Sequence, residues 1–143
     1  WGGPSMSARS AITARQMETW AHGFEIFDLL GQERTERDRI RNIVVLGVNT
    51  FQWTHRVHGL EPPEAMPKLV LEAPSGAIWE YGDDAGRIVG RAVDFAAVVT
   101  QTRALADTGL TVEGPVAQTW MAHAQCFAGP PETPPVPGTR ARA

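Results

Sequence analysis

A carboxylate and an imidazole, Glu18 and His22, stand four residues apart in the proline-free run Met17, Glu18, Thr19, Trp20, Ala21, His22, Gly23. On a helix that spacing puts both side chains on one face, one turn apart, where both can grip a single ion. A hard carboxylate with a borderline imidazole suits zinc or another divalent first-row metal. The same spacing also describes an ordinary surface ion pair. Trp20, Phe24 and Phe27 mark the helix as packed, with the pair near the edge of its buried face, and a buried carboxylate needs a cation or strong donors. Two further groups carry ligand chemistry. His55 and His58 form a His-x-x-His at the end of a second helix, where solvent and the helix dipole are the expected partners. His123 and Cys126 are three apart among Trp120, Met121 and Phe127, so core packing is expected of them. The glycines form no phosphate-cradling pattern.

The elements that must position these residues follow from periodicity and punctuation. Trp1, Gly2, Gly3 and Pro4 make a turn-forming entry, and Ser5 or Ser7 can cap the first helix. That helix runs over 8–30, with Met17, Trp20, Phe24 and Phe27 as an apolar stripe shaped for partner helices, and Gly31 ends it. Thr35 to Asp38 resembles a capping box with Asp in place of Glu, opening a helix that continues to about residue 58, where Gly59 stops it. After a proline-rich link the period changes. Residues 68–72 and 77–81 read as a β-hairpin, 87–90 as a third strand, 94–105 as a helix and 110–113 as a fourth strand. A last helix opens at Pro115 and extends to about residue 127. The tail from 129 to 143 is rich in Pro, Thr and Arg without periodicity and is expected to be disordered. Helices followed by a β-β-β-α-β-α unit indicate an α+β fold.

Composition narrows the partners. A chain of 143 residues that is 43% hydrophobic can build a real core. Its formal charge of −3, with scattered arginines, provides no footprint for nucleic acid. Cys126 is the single cysteine, so no intrachain disulfide forms, and no leader or long apolar span is evident. A soluble protein of a reducing cytoplasm, without membrane or nucleic-acid partners, is the expectation. Because the chain starts at Trp1, it reads as the C-terminal part of something longer.

The run from Met17 to Gly23 resembles the last bundle helix of the DinB-like, mycothiol-dependent maleylpyruvate isomerase family. Its members bind a divalent metal through a helix-borne Glu-x-x-x-His and a His from an earlier helix. Glu18 and His22 match two of these ligands, and the third would lie upstream of Trp1. The similarity continues through Asp94 and Phe95, Val99 to Gln101, Leu110 to Gly114 and Ala128 to Pro131, and so covers nearly all of 1–131. Only the Glu-x-x-x-His motif is chemically specific. The resemblance implies the last helix of a four-helix bundle at 1–31 and a linking helix at 32–60. A sterol-carrier-like (SCP2-like) α/β domain would follow at 61–129, and a tail at 130–143. It implies a metal, zinc first, that activates mycothiol or a similar thiol for isomerisation or transfer on a small acidic substrate. Arg103 would act at the site as a catalytic residue, holding a substrate carboxylate bidentately from the end of the 94–105 helix. A solvated arginine complementing the helix dipole is the plain alternative. The rival from another class is a non-catalytic module holding a small apolar or acyl ligand. Apolar stripes without partners also lead to an expectation of self-association into a homo-oligomer.

Overall fold

The computed structural model describes residues 8–139. The expected turn at 1–4, the caps Ser5 and Ser7, and residues 140–143 lie outside the described residues. Helix α1 spans Ala8–Leu29 without interruption, as the absence of proline allows. Gly31 adopts φ 64° just past its end. Its N–H donates to Asp28 O at 3.0 Å and that of Gln32 to Phe27 O at 2.9 Å, which occupies carbonyls the helix end would otherwise strand.

The second expected helix is three pieces. No capping box forms: a short 3₁₀ turn, Asp38–Ile40, starts after Arg37 without a side-chain cap. Asp38 instead accepts from the Ser75 backbone N–H at 3.0 Å and from its hydroxyl at 2.6 Å, so the carboxylate ties this turn to the hairpin. Helix α2 (Arg41–Asn49) and α3 (Phe51–Val57) then join at Thr50. The Thr50 hydroxyl donates to Leu46 O and Gly47 O, at 2.9 and 3.0 Å, and this back-bonding accompanies the break.

Strands β1 (Lys68–Glu72), β2 (Ile78–Tyr81), β3 (Arg87–Arg91) and β4 (Thr111–Glu113) form one mixed sheet in the order β2-β1-β3-β4. β1 pairs antiparallel with β2, Leu71 opposite Trp79, and parallel with β3, Leu69 opposite Ile88. β4 closes the far edge antiparallel to β3. Alternation puts Leu69, Leu71 and Ile88 on one buried face, against which α4 (Ala92–Val99) lies. Helix α5 (Pro115–His123) follows β4, with proline at its first position. The fold is therefore mixed α+β. Both C-terminal helices are shorter than the periodicity suggests. α4 ends at Val99 because Gln101, at φ 58°, turns the chain away, and α5 ends at His123 before an extended Ala124. Among the described residues no helix is long and apolar enough to cross a membrane.

The core joins both halves of the chain: Ile40, Ile43 and Val44 meet Phe95 and Val99, while Trp120 sits edge-on to Phe51 and Phe95 at ring separations of 4.9 and 5.7 Å. α2 and α4 approach closely at Gly47, where an added Cβ would lie 2.9 Å from Val99 Cγ2 and 3.0 Å from Phe95 Cε1. Gly47→Val should accordingly overpack this crossing and cost about 1–3 kcal/mol in urea denaturation. Unchanged stability would show that α2 and α4 can separate freely.

Candidate functional site

Glu18 and His22 sit on the outward side of α1, both exposed, one turn apart. The His22 side chain is 79% exposed, and its Nδ1 lies 3.9 Å from Glu25 Oε2, beyond hydrogen-bond distance. All three residues line a groove of about 910 Å³ between α1, the α2–α3 pair and the segment 126–129. Met17 and Ala21 complete the α1 wall, and Leu46, Trp53 and Val57 face them with Phe127 alongside. The expected position at the edge of a buried face is thus refined to an exposed rim, because α1 turns Glu18 and His22 to solvent while Met17 and Trp20 point inward.

That aromatic side is covered by the chain itself. Met17 and Trp20 are buried in the common core, and Phe24 is half-buried against it. Arg34 lies over Trp20, Phe24 and Phe27, with its guanidinium carbon 5.0, 5.6 and 5.8 Å from their ring centres. It donates to Trp20 O at 3.1 Å and to Glu36 Oε1 at 2.8 Å, while Glu36 Oε2 accepts the Trp20 indole N–H at 3.0 Å. Gly23 makes this possible, since a Cβ there would come within 2.6 Å of Arg34 Nη1. The stripe expected to await bundle partners is already satisfied. The exposed large apolar residues are others: Ile12, Ile26 and Leu29 on α1 and Leu30 beyond it.

Arg103 is not in a helix and does not line the groove. It follows the turn at Gln101, its guanidinium carbon 4.6 Å from the Phe24 ring centre and both its Nη atoms donating to the carboxylate of Asp28. Side-chain exposures of 10% and 16% make this a largely buried pair. A solvated arginine at a helix end is therefore ruled out, and a carboxylate clamp would first have to release Asp28. Arg103, Asp28, Arg34 and Glu36 instead border a second, polar pocket of about 300 Å³.

The groove's remaining wall is fixed by buried amides. Gln101 donates to Ala124 O and Glu132 O, both at 3.0 Å. Gln125 donates to Pro130 O at 3.0 Å and accepts from Glu132 N–H at 2.9 Å. The tail expected to be disordered from 129 is consequently held, through residue 132 and again where Gly138 N–H meets Asp107 Oδ2 at 2.8 Å. Cys126 is buried, and burial pushes its thiol from 9.0 up to about 12.

The other histidines serve packing. His55 is buried rather than solvated: its Nδ1 donates to Phe51 O at 2.7 Å, and its ring meets Phe51 at 4.7 Å. His58 is half-buried, with its ring 5.3 Å from that of His123. Among the described residues no group of three or more His, Cys, Asp or Glu is placed to hold a metal ion. The groove residues that spacing did not single out are Trp53, Arg56 and Val57. Their i, i+3, i+4 steps on α3 were a legible signal of one shared face.

Two proteins of Mycobacterium tuberculosis, from strains CDC 1551 / Oshkosh and H37Rv and both named only as uncharacterized, are each 49% identical to this chain over 134 residues. The match covers 92% of this chain and 52% of each relative, so the chain spans about half the length of the curated relatives it matches. No family model and no solved structure matches it.

Two outcomes follow from this geometry. Removing one partner of the largely buried Arg103–Asp28 pair should cost about 3 kcal/mol in Arg103→Met, and the double variant Arg103→Met/Asp28→Leu should recover most of the loss. A single variant as stable as the wild type would show that the pair does not anchor α1. For Cys126 the unfolded chain ionises above 9.0, while the native chain keeps its proton to about 12. The corresponding stability is complete below that lower value and is lost as pH rises between the two, by about 1.4 kcal/mol per pH unit at most. Cys126→Ala should flatten the alkaline limb of a stability–pH curve, and an unaltered limb would contradict the shift.

Proposed function

We propose that this chain carries part of the site of a thiol-dependent isomerase or transferase acting on a small acidic substrate. Glu18 and His22 are two of three protein ligands to a divalent ion, with zinc the favoured metal. The third ligand, a histidine, comes from polypeptide beyond the residues described, and mycothiol or a similar thiol is the cosubstrate. The observation that carries this reading is the placement of both donors one turn apart on the outward face of one unbroken helix, at the rim of the groove. Carboxylate and imidazole fit a first-row divalent ion, and the relatives' greater length leaves room for a further ligand. When bound, the ion lowers the pKa of a coordinated thiol so that a thiolate exists at neutral pH.

The chain's own residues supply position and shelter. The outward face of α1 carries exposed Ile26 and Leu29 in helical register with His22 and Glu18, a pattern suited to coverage by further polypeptide. The Arg34 and Arg103 clasps hold α1 so that its donors keep a fixed offset from Trp53 and Phe127. The substrate is an unsaturated acid to which the thiol adds; rotation about the resulting single bond and elimination of the thiol then complete an isomerisation. A second reading, a non-catalytic SCP2-like binder of a small apolar or acyl ligand, is favoured by the apolar walls of the same groove.

In the full-length polypeptide, His22→Ala should abolish both stoichiometric zinc, read by elemental analysis, and thiol-dependent turnover. A chelator should lower the melting temperature of the wild type and leave that of His22→Ala unmoved, since an ion bound only by the folded state stabilises it by mass action. If His22→Ala keeps its zinc and its turnover, the metal assignment fails and the binding reading takes its place.

A further inference from the structure

We infer that the groove between α1 and α3 recognises a small amphipathic carboxylate, with its apolar body against Trp53 and Phe127 and its acid group on Arg56. The inference deepens the proposed function by naming what reads the acid, and it rests on that reading only for the identity of the reaction. A volume of about 910 Å³ falls within the range of small-molecule sites, which are mostly apolar with a few placed polar groups. Trp53, one turn after Thr50 and one turn before Arg56 and Val57, offers a flat apolar face.

Charge sets the direction of binding. Among the described residues, the groove's carboxylates, Glu18 and Glu25, both stand on the α1 wall, and Arg56 on the α3 wall is the only arginine or lysine that lines it. With no ion on Glu18 and His22, the state that a chelator maintains, a carboxylate is repelled from one wall and drawn to the other, so it points toward α3. Arg56 is exposed, and its Nη2 donates to the neutral Gln52 Oε1 at 3.3 Å, a bond that uses one of five guanidinium N–H donors. Bidentate engagement of a carboxylate remains open to it. Arg103, by contrast, is committed to Asp28 and borders a different pocket.

The test compares octanoate with 1-octanol, titrated into the full-length protein with a chelator present and followed by the Trp53 contribution to tryptophan emission, which a Trp53→Phe variant defines. Octanoate should bind more tightly than 1-octanol. Arg56→Gln should weaken octanoate roughly five- to tenfold, as expected for an exposed charge-assisted contact, and leave 1-octanol unchanged. Arg56 is at the surface, and an unaltered melting curve for the variant shows that its fold is intact. Equal affinities for acid and alcohol with no effect of Arg56→Gln would overturn the inference. So would the absence of any Trp53 response to either compound, the result expected if a polypeptide segment fills the groove. Chelator throughout keeps this outcome independent of zinc, so failure of the metal assignment and failure of acid recognition are read separately.

Discussion

Phe24 lies within reach of two guanidinium groups, those of Arg34 and Arg103, and these contacts join the core packing of Met17 and Trp20 in fixing helix α1 to the rest of the fold. α1 packs on α2 along one side and presents the other to solvent, so its azimuth is not set by burial all round. Each arginine lies near aromatic surface and also donates to an acceptor: Trp20 O and Glu36 for Arg34, Asp28 for Arg103. A lysine could not do both, because a point charge has neither the flat face nor the fork. Rotating α1 by even a fraction of a turn would break both clasps. The orientation of Glu18 and His22 is thus determined by residues on its opposite side.

The same clasps explain why the apolar stripe of α1 is less demanding of a partner than it looks. Met17 and Trp20 are buried, and the more peripheral Phe24 and Phe27 are roofed by guanidinium rather than by hydrocarbon. Cation–π contact lets a charged residue cover an aromatic surface while its ionised edge meets a carboxylate. What is left without cover on α1 is the donor-bearing face, with Ile12, Ile26 and Leu29 beside it.

Much of the scaffold was legible from the chain because it is dictated locally. Absence of proline and Gly31 gave α1, alternation around the Pro74–Gly76 turn gave the hairpin, and Pro115 gave the start of α5. The misread features turn on side-chain hydrogen bonds made at long range or against the expected pattern. Thr50 interrupts a periodic apolar run by bonding back to its own helix, and Asp38 abandons a cap for Ser75. Gln101 and Gln125 hold a segment whose composition reads as disordered, because two buried amides supply the partners that its carbonyls lack. The Glu18–His22 spacing was visible, but the groove was not, since its far wall depends on where α3 and residues 126–129 pack. Arg103 is a related case: the resemblance implies a substrate clamp and the plain reading a solvated arginine at a helix end, and only the packed position of Asp28 shows its donors engaged.

Cys126 completes the chemical argument. It lines the same groove as Glu18 and His22, and a thiol beside a candidate metal site invites assignment as ligand or nucleophile. Its surroundings disfavour a thiolate in the ion-free chain at neutral pH: it is buried, and burial raises its thiol to about 12. Only a thiolate attacks, and a thiol protonated far above neutrality supplies almost none. Neither Glu18 nor His22 is placed on a serine or threonine partner by any hydrogen bond among the described residues, so no activated hydroxyl replaces it. The thiol cosubstrate proposed above would supply the nucleophile that these residues do not. A groove large enough for two modest ligands, with donors on one wall and a guanidinium on the other, suits that arrangement better than a site built around a resident side chain.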